Sequence, residues 1–187
     1  MRLTNLIFAG ATLISTTSWA AAHEFTAALY VSGPQAASRM AETVNGFLLA
    51  ADERDGHANE TSDGHLGGVD VQILPLPREI GAGVEGLYLS RAGAPDVVVV
   101  FGKADASALP DGAVIVEAGV LPPDQEWQQS AFAKRYLAAY GTAPTRDAAQ
   151  GYNAARRLDH AIRPLDGLSP AAEFSAAITS TAGGINW

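Results

Sequence analysis

The chain has 187 residues, of which 20 are acidic and 12 are basic, so its formal net charge is −8, and it contains no cysteine. Contacts to phosphates need clustered Lys and Arg, and the acidic balance therefore argues against a nucleic-acid partner. The lack of cysteine excludes a disulfide, and we expect no lipid anchor on an N-terminal cysteine.

The first residues have the layout of a secretory signal peptide. Arg2 precedes an apolar run at 6–14, and small residues dominate 18–22. The run is shorter than the roughly 20 residues that cross a bilayer, so we expect no membrane insertion. The sequence therefore predicts a signal peptide at 1–22, export to the periplasm, and a single domain at 23–187.

Strand and helix patterns alternate from residue 25 onward. Residues 25–31 are an almost unbroken apolar run, which is typical of a strand buried on both faces of a parallel sheet. Pro34 opens a predicted helix that extends to about residue 52. In the next predicted strand, 69–74, Val and Ile alternate with Asp and Gln, so we expect it at a sheet edge.

The alternation continues to residue 117. A helix is predicted near 80–90, and the composition of 96–101, Asp-Val-Val-Val-Val-Phe, favours a central strand. Residues 113–117 predict a further short strand. A polar, glycine-rich loop at 54–68 separates the first helix from the second strand.

The next segment predicts two amphipathic helices. Aromatic residues recur at i, i+4 and i+8 from Phe132, which makes one helical face apolar. Gly141 suits the left-handed position after a helix, and Pro144 prevents continuation. Thr145 is placed to cap a second helix, which extends to about residue 162. The complete order, β-α-β-α-β-β-α-α, predicts an α/β fold: a three-layer sandwich with a mainly parallel sheet.

Two segments carry a family resemblance. The first is Phe132…Tyr136…Tyr140-Gly141-x-x-Pro144 with Ala149-Gln150-Gly151-Tyr152-Asn153-Ala154-Ala155-Arg156, and the second is Asn45-Gly46-Phe47-Leu48-Leu49-Ala50-Ala51-Asp52-Glu53 with Gly67-Gly68-Val69-Asp70-Val71-Gln72. They resemble, in that order, the C-terminal region and the first helix with the second strand of the type I periplasmic solute-binding proteins. This is the branched-chain amino-acid (leucine-binding-like) receptor family of ABC importers.

The resemblance implies an exported protein, without enzymatic activity or cofactor, that binds an amino acid or similar small polar solute for an ABC permease. Complete members fold two lobes around a hinge and hold the ligand between them. Here only about thirty residues separate Phe101 from the helix pair. We therefore expect a single lobe of this fold, and a one-sided site that binds its solute weakly.

The resemblance also implies a ligand site at the turns that follow the strands. Ser32-Gly33 matches the turn after the family's first strand, and Gly102 matches the glycine that ends its third strand. Family members use backbone and hydroxyl groups of such turns to hold the ligand's carboxylate and ammonium. The predicted ligand-binding residues are Ser32, Gly33, Gly102, Lys103 and Ser107, although Lys103 stands where proline is usual. The alternative interpretation is that these residues only form turns.

One motif points to a nucleotide cofactor but lies in the wrong place. Gly81-Ala82-Gly83-Val84-Glu85-Gly86 satisfies the dinucleotide fingerprint, with Asp105 at about the right distance downstream. The fingerprint should follow its strand directly and open the first β-α-β unit, whereas residues 75–78 intervene here after the second strand. We therefore predict no cofactor.

Two Asp-Gly-His tripeptides, at 55–57 and 63–65, occupy the polar loop. Imidazole and carboxylate groups suit Zn²⁺ or Cu²⁺, but the spacing matches no established zinc motif. Cleavage after Ala20 would leave Ala-Ala-His, which ends at His23 and is able to chelate Cu²⁺. A solvated loop is the simpler interpretation, so no metal site is predicted. A periplasmic metal-binding protein that uses the His57/His65 loop stays open as an alternative.

The sequence contains no catalytic signature. It has neither G-x-S-x-G nor H-E-x-x-H, and His160 is interpreted as a solvated residue near a helix C-terminus, beside Arg156, Arg157 and Arg163. We therefore predict a non-enzymatic solute-binding module. Its competitor is a periplasmic protein-interaction module that has lost ligand binding and presents its strand ends or the Trp127 region to a partner. Pairing of two copies to rebuild a cleft is a further hypothesis.

Overall fold

The computed structural model of this chain describes residues 24–54, 62–77, 94–104, 109–165, 167–185 and 187. Some predictions lie outside these residues, namely the signal peptide at 1–22, the helix near 80–90, the motif at 81–86, and His23, His57, Asp105 and Ser107. Within the described ranges, no helix has the length and apolar character needed to cross a membrane.

Five strands form one mixed sheet in the described part of the chain. They are β1 (Glu24–Val31), β2 (His65–Leu66), β3 (Val69–Pro77), β4 (Val97–Phe101) and β5 (Val114–Glu117). The strand order is β2-β3-β1-β4-β5. β3, β1, β4 and β5 run parallel, and β2 pairs antiparallel with β3. The mainly parallel sheet predicted from the sequence is confirmed.

The strand order confirms two strand predictions and corrects a third. β1 is buried along most of its length, and β4 lies between β1 and β5 and is buried throughout, as predicted for a central strand. The prediction that 69–74 lies at an edge is wrong for the start of the strand, because the two-residue β2 pairs with Val69 and Asp70, and no described strand pairs with that side of β3 beyond them. Two residues are too short for a sequence pattern to reveal.

The helices in the described ranges are α1 (Ala36–Asp52), α2 (Asp124–Gln129), α3 (Ala131–Tyr140), α4 (Arg146–Ile162) and α5 (Ala171–Ser180). The predicted helix pair is α3 and α4. Gly141 ends α3 with φ 74°, and the Thr145 hydroxyl accepts a hydrogen bond from the Ala148 N–H, 3.2 Å away. α1 begins after Pro34 rather than at it, because Gln35 is left-handed with φ 59°. α2 and α5 were not predicted.

Both faces of the sheet are buried along β1 and β4. On one face, side chains from all of these helices join alternate residues of β1 and β4, such as Leu29 and Val99, in the main core. On the other face, Ala28, Tyr30 and Val98 belong to a second, smaller core to which none of the described helices contributes. The structure is thus α/β, with one helical layer described of the two that a three-layer sandwich requires.

The contact between α1 and α4 is exceptionally close. A Cβ atom added at Gly46 would lie 1.9 Å from the Ala148 carbonyl oxygen, and one added at Gly151 would lie 2.0 Å from the Thr43 carbonyl oxygen. At these two points backbone therefore packs directly on backbone, and no side chain fits there.

Tyr136 and Tyr140 of α3 form hydrogen bonds to α1. The Tyr136 hydroxyl donates to Glu42 Oε2 (2.8 Å), and the Tyr140 hydroxyl donates to the Asn45 carbonyl (2.9 Å). Burial raises the pKa of both phenols, and at Tyr136 the hydrogen bond to Glu42 raises the pKa further. The aromatic residues of this helical face are therefore core, as their spacing predicts.

Replacing Gly151 by alanine should destabilise the fold by about 3 kcal/mol or more, because α1 and α4 must separate to admit the methyl group. Urea unfolding measures this. Gly183→Ala is the matched control: a Cβ there meets nothing within 4 Å, and we expect a change within about 0.5 kcal/mol. Equal effects of the two substitutions would contradict the close contact.

The raised tyrosine pKa values predict a loss of stability at alkaline pH. Both phenols hold their protons more tightly in the folded state, so their contribution is complete below the ordinary tyrosine pKa of 10.0 and is lost as pH rises above it. Urea unfolding at about pH 8 and about pH 11 should show the decrease. The decrease should be smaller in Tyr136→Phe, and an identical decrease would refute the assignment.

Candidate functional site

The carboxyl ends of four parallel strands meet at one edge of the sheet. The chain leaves β1 through α1 to reach β3 on one side, whereas β4 is followed by β5 on the other side. The turns after β1 and β4 therefore flank the point where the connections diverge, and ligands of open α/β sheets bind in the crevice at such a point. Ser32-Gly33 and Gly102-Lys103 are these two turns.

The two turns are hydrogen-bonded to each other. The Ser32 N–H donates to the Phe101 carbonyl (3.2 Å), and the Ser32 hydroxyl donates to the Lys103 carbonyl (2.7 Å). Gly102 has φ 108°, and a Cβ there would lie 2.8 Å from Ser32 Oγ. The structure thus brings together Ser32, Gly102 and Lys103, with Gly33 beside them. The serine proton is already engaged, so Ser32 Oγ offers a ligand only its lone pairs.

Arg39 connects the first turn to the start of α4. Its Nη1 donates to the Ser32 carbonyl (2.8 Å), while Nε and Nη2 donate to Asp147 Oδ1 (3.0 and 2.8 Å). The sequence does not reveal this residue, because its carboxylate partner lies 108 positions away. The arrangement positions the turn relative to the helix layer.

A pocket of about 280 Å³ opens beyond the ends of β4 and β5. Gly102 lines it, together with Glu117, Gly119, Gln150 and Arg157. Gly119 has φ 87°, and a Cβ there would lie 2.7 Å from Arg157 Nη1. A glycine at this turn therefore lets the guanidinium reach the pocket wall. We call this space the strand-end pocket.

Arg157 is buried, with 3% of its surface exposed, and its hydrogen-bond acceptors in the described part of the chain are neutral. Nε donates to Thr181 Oγ1 (3.1 Å), Nη2 to the Ile178 carbonyl (2.8 Å), and Nη1 to the Glu117 carbonyl. Burial lowers the pKa of the guanidinium, and the charge of Glu117 opposes that shift. The group still carries its charge, because arginine is not deprotonated in proteins.

The guanidinium of Arg157 has more N–H groups than hydrogen bonds to the described part of the chain. It has five N–H groups, and three hydrogen bonds join it to the described part of the chain. No ion pair joins it to a carboxylate there. A buried cation with unused N–H donors favours an anionic group in the strand-end pocket. The exposed carboxylate of Glu117 lines the same pocket and is able to attract a cationic group.

Sequence reasoning missed most of the strand-end pocket. Gly119 follows a predicted strand just as Gly33 and Gly102 do, so the rule that selected those glycines would also have selected it. Arg157 gives no such signal, because Arg156 beside it and the exposed residue His160 make the segment look solvated. The prediction that His160 is solvated is confirmed.

Among the residues proposed for a protein interface or a metal site, Trp127, His65 and Asp63 are engaged within the fold, whereas His57 lies outside the described residues. Trp127 is 2% exposed and donates its indole N–H to Asp124 (3.1 Å), so it offers no contact surface. His65 Nε2 lies 2.6 Å from Asp70 Oδ1, and Asp63 accepts from the Ile73 N–H (2.7 Å). No cluster of three potential metal ligands occurs in the ranges that the structure describes.

Comparison with known proteins identifies no relative: no family model, no curated protein and no solved structure matches this chain.

Replacing Gly102 by alanine should break the link between the two turns. Gly33→Ala is the matched control, because Gly33 also has a positive φ, of 97°, yet a Cβ there meets only Arg39 Nη1 at 3.7 Å. We expect a loss of about 1 kcal/mol for Gly33→Ala and at least about 1 kcal/mol more for Gly102→Ala, measured by urea unfolding. In a Ser32→Ala background the additional loss should shrink, and strict additivity would contradict the contact.

Proposed function

We propose that this chain is a solute-binding module that holds a small carboxylate-bearing solute, such as an amino acid, at the carboxyl edge of its sheet. The observation that carries the proposal is Arg157, a buried cation on the wall of the strand-end pocket whose hydrogen-bond acceptors within the described residues are all neutral. A solute carboxylate would form a direct ion pair with it and accept the remaining N–H groups.

The other groups of the pocket suit the rest of an amino acid. Glu117 provides an exposed carboxylate for an ammonium group, and Gln150 lines the same wall. The volume of about 280 Å³ lies near the lower limit of about 300 Å³ for small-molecule pockets, which favours a ligand of amino-acid size. Because the pocket is open on one side, part of the ligand stays in water and the affinity is low.

The strand order supports a finer assignment of the fold. Four parallel strands, with α1 and α4 packed on one face, agree with one lobe of a type I periplasmic solute-binding protein. Under this proposal the chain is exported to the periplasm, acts without catalysis or cofactor, and serves an ABC permease in amino-acid transport.

A second candidate, a protein-interaction module, rests on the exposed side chains near β5. Ile115 and Val120 are 46% and 61% exposed, and β5 lies at the edge of the described sheet. Edge strands readily pair with another chain, so this region is the surface such a module would present.

A solute screen tests the leading proposal. L-amino acids and small monocarboxylates, each titrated to about 50 mM, should include a class that raises the melting temperature in a saturable way, because only the folded state binds it. Val120 also lines the strand-end pocket, so Val120→Trp should fill the pocket and abolish this shift. The packing of the core should stay intact, because Val120 is largely exposed. The control Leu137→Trp changes another exposed side chain and should keep the shift.

The role of Arg157 has its own test. Arg157→Gln should weaken solute binding about tenfold or more and destabilise the fold by about 2 kcal/mol, since two carbonyls lose their donor. Lys134→Gln removes one exposed positive charge outside this pocket and should leave solute affinity unchanged. A flat screen would reject solute binding in favour of the interaction module, and equal effects of the two glutamine variants would reject Arg157 as the carboxylate ligand.

A further inference from the structure

A second pocket, of about 480 Å³, lies between the last turns of α4 and α5. Arg54, Arg156, Arg163 and Asp159 line it, and it shares no lining residue with the strand-end pocket. We call it the arginine pocket. Its volume is well within the range of small-molecule sites.

Asp159 neutralises only part of the charge on these arginines. Its side chain is 5% exposed, and Oδ1 accepts from the Gly67 N–H (2.9 Å) and from Arg163 Nη2 (2.6 Å). Arg54 Nε lies 3.6 Å from Oδ2 of the same carboxylate. One buried negative charge therefore faces two guanidinium groups.

Arg156 has no carboxylate partner within the described residues. Its Nη1 donates to the Tyr152 hydroxyl (3.2 Å), and the guanidinium lies 5.8 Å from the centre of that ring. The same hydroxyl accepts from Arg135 and donates to Glu53, so it is a crowded acceptor. The Nε atom of Arg156 is buried and has no hydrogen-bond partner among the described residues. This N–H group is therefore unsatisfied within the described part of the protein.

The charge balance of the described lining is positive. Three arginines and one aspartate give 3 − 1 = +2 when His160 is neutral. The C-terminal ends of α4 and α5 face the pocket, and each offsets about half a unit of charge, which leaves roughly +1. This positive site contrasts with the net charge of −8 on the whole chain.

We propose that the arginine pocket binds a small oxyanion, either a phosphate or a carboxylate group of a small molecule. Both groups present oxygen atoms in the spacing that a guanidinium fork matches with two parallel hydrogen bonds. The anion would take the unused donors of Arg156 and share Arg54 and Arg163 with Asp159. The site is independent of solute binding in the strand-end pocket.

Titration of the purified protein with inorganic phosphate and with succinate, at low ionic strength and with chloride as reference, tests this proposal. Binding is followed by calorimetry and by NMR shifts of residues in the arginine pocket. Saturable binding of either anion is the expected result, and the better binder identifies the oxyanion class. Arg156→Gln should weaken binding about tenfold or more, and Arg156→Lys should restore part of it by keeping the charge.

Lys134→Gln is the control, because it removes one exposed positive charge away from the arginine pocket and should leave binding unchanged. Arg163→Gln, at a side chain that is 56% exposed, provides a second variant and should also weaken binding. Asp159 keeps the Gly67 N–H and Arg54 as partners in this variant. Val120→Trp should bind the anion as the parent does, which separates this site from the strand-end pocket. Absence of saturation by both anions at about 50 mM, or equal losses in Arg156→Gln and Lys134→Gln, would overturn the proposal.

Discussion

The direct backbone contact between α1 and α4 sets the geometry on which both pockets depend. Because Gly46 and Gly151 let the two helices touch, the distance between them is fixed by the main chain and not by adjustable side chains. The Ser32 turn connects β1 to α1. The contact with α1 therefore also fixes the position of α4 relative to the strand ends. The polar side chains of α4 are thereby held within hydrogen-bonding distance of their partners.

α4 uses that placement to contact the sheet at both of its ends. Near its start, Asp147 binds Arg39 and thereby the Ser32 turn. In its middle, Asn153 donates to the Ala118 carbonyl, and Arg157 reaches the Glu117 carbonyl after β5. Near its end, Asp159 accepts from Gly67 in the β2–β3 turn. A single helix thus contributes Gln150 and Arg157 to the strand-end pocket, and Arg156 and Asp159 to the arginine pocket.

Sequence patterns predicted the elements whose signal is local. The β1 and β4 runs, the stop at Gly141 and the cap at Thr145 depend on neighbouring residues only, and the structure contains each of them. α2 and α5 were missed, because α2 is a six-residue helix and α5 has only two buried residues, Phe174 and Ile178. Ser32 and Gly102 could be predicted from the sequence because each directly follows a predicted strand. The hydrogen bonds around them could not be predicted, because their partners lie tens of residues away.

Arg157 shows why the rest of the site escapes sequence analysis. Its acceptors are the main-chain carbonyls of Ile178 and Glu117, 21 and 40 residues away, and the hydroxyl of Thr181, 24 residues away. Every residue has a main-chain carbonyl, so the sequence does not show which of them accept a hydrogen bond from Arg157. Burying a charge on neutral acceptors costs several kcal/mol of desolvation, of which hydrogen bonds return only part. An apolar side chain would fill that volume without the cost. The structure retains the charge at the wall of an open pocket, and under the proposed function a bound solute carboxylate would recover part of the remaining energy.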